Sequence, residues 1–236
     1  MSHTVLITRP QGQHHQLQQQ LAGAGYRVVH RPALQIVPLP VTDACRRTLM
    51  DLDLFHAVIF ISRNAARLAL DAMADLWPQW PVGVHWLAVG QATGAELQRR
   101  QLTPTLPDKG FNSEALLTLP CLQHLQDKRV LICRGEGGRG LLAEALHGRG
   151  ATVSSLVFYR RQPATDFYVP DGVDAVMITS IESWQAVADS LPASLLVVAA
   201  GERVAAAVRA GHGGPLEVAE TAHDEDMVQA LQRALP

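Results

Sequence analysis

Val5–Pro38 and Val130–Pro163 align without a gap, and no other feature constrains the fold of this chain as strongly. The first segment reads VLITRPQGQHHQLQQQLAGAGYRVVHRPALQIVP and the second VLICRGEGGRGLLAEALHGRGATVSSLVFYRRQP. Val5, Leu6, Ile7, Arg9, Gly12, Leu17, Leu21, Gly23, Gly25, Val28 and Pro38 all recur. The content is a strand, a helix and a second strand. Arg9 and Arg134 each close a strand, and the paired glycines supply the helix end and the turn that follows. Further matches join Ala57–Ser62 to Ala175–Ser180 and Leu87–Gly90 to Val198–Gly201. With 236 residues, the chain is expected to hold two similar α/β units.

The strand candidates are Val5–Thr8, Val28–His30, Ala57–Ile61, Trp86–Val89, Val130–Cys133, Val153–Val157, Ala175–Thr179 and Leu195–Ala200. Several are apolar throughout, as expected of parallel strands covered on both faces. Helical patterns lie between them, over Gln13–Ala22, Ala65–Ala74, Thr93–Arg100, Leu141–His147, Ser183–Asp189 and Val204–Ala210. Asn112-Ser113 and Asp224 are expected to cap the last helix of each half. The Pro-rich stretches Arg31–Pro40 and Tyr159–Pro170 read as connections.

Charge and composition exclude several classes. Twenty Lys and Arg face 22 Asp and Glu, which gives no basic excess for general nucleic-acid binding. No apolar run has the length of a membrane span. Met1–Thr4 leads straight into Val5-Leu6-Ile7, without a basic segment followed by a long apolar one, so no signal peptide is expected. Cys45, Cys121 and Cys133 form no framework and predict a cytoplasmic setting. No zinc motif is present. His14 and His15 are expected as a solvated pair on a Gln-rich helix.

Small and polar residues gather where strands pass into helices: Thr8-Arg9, Ser62-Arg63-Asn64, Gly90 to Thr93, Arg134-Gly135, Thr179-Ser180 and Gly201. Ligands bind at that edge of an open parallel sheet, where helix N-termini offer unpaired N–H groups. Ordinary capping by Ser62, Ser180 and Thr93 explains the same residues one at a time. Gly135–Gly140 fits G-x-G-x-x-G, a dinucleotide signature, but no acidic ribose ligand follows Val153–Val157. Arg160 and Arg161 there would suit a 2′-phosphate, so an NADP-dependent reductase stays open. Tyr159 is read either as a packed hinge aromatic or as a proton donor.

These residues resemble the uroporphyrinogen-III synthase family. The resemblance rests on Val5–Pro10, Phe60–Ala65, Ala88–Thr93, Gly150-Ala151 with Tyr159–Arg161, and Ile178–Ser180, in order along essentially the whole chain. It implies two flavodoxin-like α/β domains with parallel sheets, joined by a two-stranded connector as an interwoven duplication. Residues 1–35 and 163–236 would form one domain and 38–159 the other, with 36–37 and 160–162 as connectors. The implied reaction closes hydroxymethylbilane to uroporphyrinogen III, with inversion of ring D and loss of water, in heme and siroheme biosynthesis. The enzyme would be a lyase without cofactor or metal, its product held in the cleft between domains largely by backbone amides.

Tyr159 occupies the family's tyrosine position, and Thr93 matches a family threonine near the ligand. The substrate-binding set implied is Thr8, Arg9, Ser62, Arg63, Asn64, Gly90, Thr93, Arg134, Gly135, Thr179, Ser180, Gly201 and Arg203. The chain departs from the family at Gly201–Val204, where hydroxyl residues often follow the glycine. Arg203 is expected to replace them as a carboxylate partner. A monomer is expected, meeting the upstream deaminase transiently and neither nucleic acid nor membrane. A two-domain small-molecule sensor without catalysis is the other alternative.

Overall fold

The structure is a computed structural model that describes residues 2–110, 112–137 and 140–236. The chain divides into two units, Met1–Ile36 with Gln162–Pro236, and Val37–Arg161. In the first, the strands are β1 (Thr4–Ile7), β2 (Arg27–His30), β8 (Ala175–Ile178), β9 (Leu196–Ala200) and β10 (Leu216–Ala219). They form one sheet in the order β10-β9-β8-β1-β2, every pair parallel. Renumbered along the chain, that is the doubly wound 2-1-3-4-5 order. Its helices are α1 (His15–Gly23), α7 (Ile181–Val187), α8 (Gly201–Arg209) and α9 (Asp224–Ala234).

The second sheet has the order β3-β7-β6-β4-β5. Its strands are β3 (Leu34–Pro38), β4 (Ala57–Phe60), β5 (His85–Ala88), β6 (Arg129–Gly135) and β7 (Thr152–Pro163). A parallel bridge from Leu87 to Thr105 extends it where the first sheet carries β10. The spatial plan is the same, but here the repeated strand–helix–strand follows the other strands instead of preceding them. The helices are α2 (Asp43–Met50), α3 (Arg63–Ala74), α4 (Gln91–Arg99), α5 (Ser113–Leu116) and α6 (Leu141–Gly148).

Alternation within each strand explains the apolar runs. Val5, Ile7, Met177 and Val198 face α1 and α9, while Leu6, Val176 and Val197 face α7 and α8. In the second unit Val58, Phe60 and Leu131 face α2, α3 and α4, and Ile59, Val130 and Ile132 face α5 and α6. Successive side chains point to opposite faces, so a strand covered twice must be apolar twice. No described helix is long and apolar enough to cross a membrane.

The Pro-rich connections are themselves strands. Ala164 N–H donates to Ala33 O, and Leu39 N–H to Phe158 O, so β3 runs antiparallel to the end of β7. The chain passes between units inside this ribbon, at Ile36/Val37 and Arg161/Gln162. Pro38 and Pro163 are the last residues of their strands, where a missing N–H is tolerated. Two shorter elements, α2 and β10, carry too few periodic residues to be read from sequence.

The duplication persists in backbone detail. Gly12 and Gly137 have φ of 78° and 77°, and Gly25 and Gly150 have 92° and 90°. A Cβ on Gly25 would meet open space, whereas one on Gly150 would lie 3.0 Å from Gln126 Cα. Gly25→Ala should therefore cost only the left-handed strain of about 1–2 kcal/mol. Gly150→Ala should lower the thermal unfolding midpoint further, because backbone must also move. Equal midpoints for the two variants would contradict the packing at Gly150.

Candidate active site

In doubly wound sheets the ligand crevice opens where strand order reverses, outside the carboxyl ends of the strands. In the second unit that point lies between β4 and β6, and the loops there hold Ser62-Arg63-Asn64 and Arg134-Gly135. Ser62 caps α3, its Oγ accepting from Ala65 N–H at 3.1 Å. The same Oγ lies 3.0 Å from the Tyr159 hydroxyl. Either oxygen can donate, so one hydrogen is shared between them.

Tyr159 reaches Ser62 because the β6–β7 register slips. Arg134 pairs with Val157, but Gly135 pairs with Tyr159. The extra residue, Phe158, turns into the apolar core, and Tyr159 is aimed across Gly135. A Cβ on Gly135 would lie 2.5 Å from the Tyr159 ring, so glycine is required. Tyr159 is 3% exposed, and its carbonyl accepts from Glu136 N–H. Its ring is packed across Gly135 and its hydroxyl is bonded to Ser62 rather than standing in water. Gly135 serves this ring, which explains the first glycine of the G-x-G-x-x-G run. Gly138 and Arg139 of that run lie outside the described residues.

Several site candidates are committed within the protein. Arg134 donates to the carbonyls of Gly135 and Gly137. Arg63 Nε donates to Glu96 Oε1 at 2.7 Å, and Asn64 follows half-buried in the first turn of α3. Gly90, not Thr93, stands at the α4 cap, in extended backbone. Thr93 is buried in the first turn.

In the first unit the reversal lies between β1 and β8, which end at Thr8-Arg9 and Thr179-Ser180. Thr8 is fully buried and its hydroxyl donates to Met177 O, so it offers a ligand no side chain. Arg9, expected to meet a substrate carboxylate, pairs with Asp224 at 2.5 Å and donates to Ala222 O. Asp224 is thus the first residue of α9 rather than its cap, where its charge also suits the helix dipole. Thr179, Arg9, Gln13 and Asp224 line an open cavity of about 420 Å³. Ser180 caps α7 and bonds Ser183. Gly201 opens α8 at φ 75°, and Arg203 is exposed on that helix.

A family model for uroporphyrinogen-III synthase HemD matches residues 15–229. The chain belongs to the uroporphyrinogen-III synthase family. It is 32% identical to the uroporphyrinogen-III synthase of Salmonella typhimurium over a 251-residue alignment, covering 97% of this chain and all of that protein. The Proteus mirabilis synthase is 37% identical over 161 residues, 67% of this chain and 80% of the relative. The fold is shared with the synthase structures from Helicobacter pylori (TM-score 0.62, 16% identity, both chains fully covered) and Thermus thermophilus (TM-score 0.60, 20% identity, 99% of each). The reductase and sensor alternatives give way to this family.

Sequence reasoning missed two groups. Glu96 lies beside Thr93 and Leu97 on the buried side of α4, a position its helical spacing could have revealed. His14, expected in solvent, is 5% exposed. It precedes the first turn of α1, so helical facing does not apply, and it stacks on His30 at 3.4 Å between ring centroids. His30 Nε2 is 2.8 Å from Arg9 O. Burial, then the imidazoles of His30 and His15, lowers His14 from 6.5 to about 4. Between about pH 6.5 and 4 the unfolded chain takes up a proton that the folded imidazole refuses. Stability should fall as pH drops through that window, by up to about 1.4 kcal/mol per pH unit for this one group. His14→Gln should flatten the decline in urea midpoints between pH 7 and 4.5, and an unchanged slope would contradict the assignment.

Proposed function

We propose that the protein closes hydroxymethylbilane to uroporphyrinogen III, inverting ring D and releasing water, with Tyr159 as the proton donor. The observation that carries this reading is the Ser62–Tyr159 hydrogen bond at the N-terminus of α3. Loss of hydroxide from the hydroxymethyl carbon needs one proton. The phenol O–H bond breaks, the leaving group departs as water, and an azafulvenium cation remains. Donation leaves a phenolate, which the Ser62 O–H can turn to meet, beside the positive end of α3. Ring D then attacks the cation through its substituted carbon to give a spiro intermediate; the bond from that carbon to the ring C methylene breaks, the methylene bonds instead to the free carbon of ring D, and the proton lost from that carbon restores the phenol. The scheme draws on protein groups alone.

The duplication supports assigning the acid to one unit. Leu34 stands where the repeat would place a second Tyr159, and Pro10 where it would place Gly135. Ser62 and Ser180 cap equivalent helices, but only Ser62 meets a phenol. Substrate carboxylates are assigned to the helix starts at Asn64, Gly90 and Gly201, with Arg63, Thr179 and Arg203. Eight carboxylates suit many modest contacts better than one clamp. Three unpaired cysteines are consistent with a cytoplasmic protein. The reading takes it as a monomer that meets the deaminase upstream only transiently.

Tyr159→Phe keeps the ring against Gly135 and removes the hydroxyl. It should slow isomer III formation from freshly generated hydroxymethylbilane by about 10²-fold, the low end for acid catalysis, because this leaving group departs readily. Isomer III should remain the enzymatic product. A rate equal to the unsubstituted protein would reduce Tyr159 to a packing residue.

A further inference from the structure

Glu96 is the most buried acidic side chain at the strand-end edge of the second unit, with 8% of its side chain exposed. It sits on α4, which packs along α3. Its Oε1 accepts from Arg63 Nε at 2.7 Å and from Arg99 at 2.8 Å. The two guanidiniums are far more open, with side chains 39% and 63% exposed. Burial alone pushes the Glu96 carboxyl up, and the bonds from Arg63 and Arg99 outweigh it, so the group stays ionised below its usual range. One carboxylate oxygen thus serves both guanidiniums.

Nothing in the apolar packing of α4 requires a carboxylate here. Burying one is costly unless it is paired, and a hydrophobic residue would fill the site without that cost. The bond to Nε is informative. It fixes the plane of the Arg63 guanidinium through the nitrogen nearest the chain. Arg63 is the first residue of α3 and follows Ser62, whose Oγ lies 3.0 Å from the Tyr159 hydroxyl. A planar fork held in this way recognises carboxylates directionally.

We infer that Glu96 is a positioning residue: it holds Arg63 in the orientation that receives a substrate carboxylate next to the Ser62–Tyr159 pair. The inference rests on the reading that the protein binds an octacarboxylate bilane. Glu96 acts on binding and register and leaves the proton transfer to Tyr159.

The test is a double-mutant cycle on the full chain. Glu96→Ala should raise KM for hydroxymethylbilane about 10-fold, since one charge-assisted bond to a partly exposed arginine is at stake, with kcat nearly unchanged. Arg63→Ala should do the same, and the double variant should be no worse than either alone. Glu96→Gln keeps an acceptor for Arg63 Nε and should recover most of the loss, whereas Glu96→Leu, which fills the buried site without an acceptor, should raise KM like Glu96→Ala and covers the event that Glu96→Ala folds poorly. Additive losses, an unchanged KM in folded Glu96→Ala or Glu96→Leu, or a defect confined to kcat would each overturn the inference. Titration with uroporphyrin, an octacarboxylate macrocycle, separates the two readings. If the unsubstituted protein forms no isomer III, yet Glu96→Ala and Arg63→Ala weaken uroporphyrin binding equally and non-additively, the reaction is wrong and the positioning stands. If isomer III forms and the cycle is additive, the positioning is wrong and the reaction stands.

Discussion

Parallel pairing controls everything else in this protein. A chain that leaves a parallel strand must return over the face of the sheet, here mostly as a helix. The central strands of each sheet therefore all release the chain at one edge, and helices begin there. The caps Ser62 and Ser180, the backbone at Gly90 and the opening of α8 at Gly201 gather at those edges for this reason. The candidate site residues are consequences of connectivity before they are consequences of chemistry. A capping serine is worth about 1 kcal/mol to its helix. Ser62 would be favoured on that ground alone, and the phenol has been brought to a hydroxyl that the fold already required.

The central strands were legible because both of their faces are buried. β1, β4, β6, β8 and β9 carry apolar residues at nearly every position, and the ungapped repeat tied β1 and β2 to β6 and β7. The connector strands were not legible, since proline reads as punctuation even where it merely ends a strand. Site positions could be placed at strand ends, but side-chain partners could not. Arg9 finds Asp224 from the far end of the chain, and Arg63 finds Glu96 across two helices. The one-residue slip that aims Tyr159 at Ser62 leaves no mark in the composition of either strand. His14 shows the same limit: a residue one place before a helix obeys the turn, not the helical stripe.

Duplication gave the two units one plan, and the proposed acid lies where they depart from it. Gly135 and Tyr159 are a coupled pair, because no side chain fits at 135 while the ring lies across it. In the other copy both partners differ together, Pro10 with Leu34, and Leu34 is buried in an apolar core. A phenol placed there would lack both the glycine that receives it and the register slip that turns it. The first unit thus has capping and a cavity edged by Arg9 and Asp224, and among its described residues no tyrosine stands at the equivalent position.

The commitments of the strand-end arginines bear on how a polyanion would be held. Arg9 is paired with Asp224, Arg134 donates to loop carbonyls, and Arg63 shares Glu96 with Arg99. A bare cluster of cations would attract any polyanion and would repel itself when empty. Pairing each guanidinium inside the protein removes that repulsion and fixes its direction. A carboxylate that binds must then meet guanidiniums whose direction is already set, which favours selectivity over strength. For a ring closure that must bring one end of a flexible bilane to the other in a single orientation, direction matters more than strength. Orientation of bound reactants can itself supply several kcal/mol of barrier lowering. Isomer choice is on this view a property of the paired arginines and helix starts together, while Tyr159 affects how fast the electrophile appears.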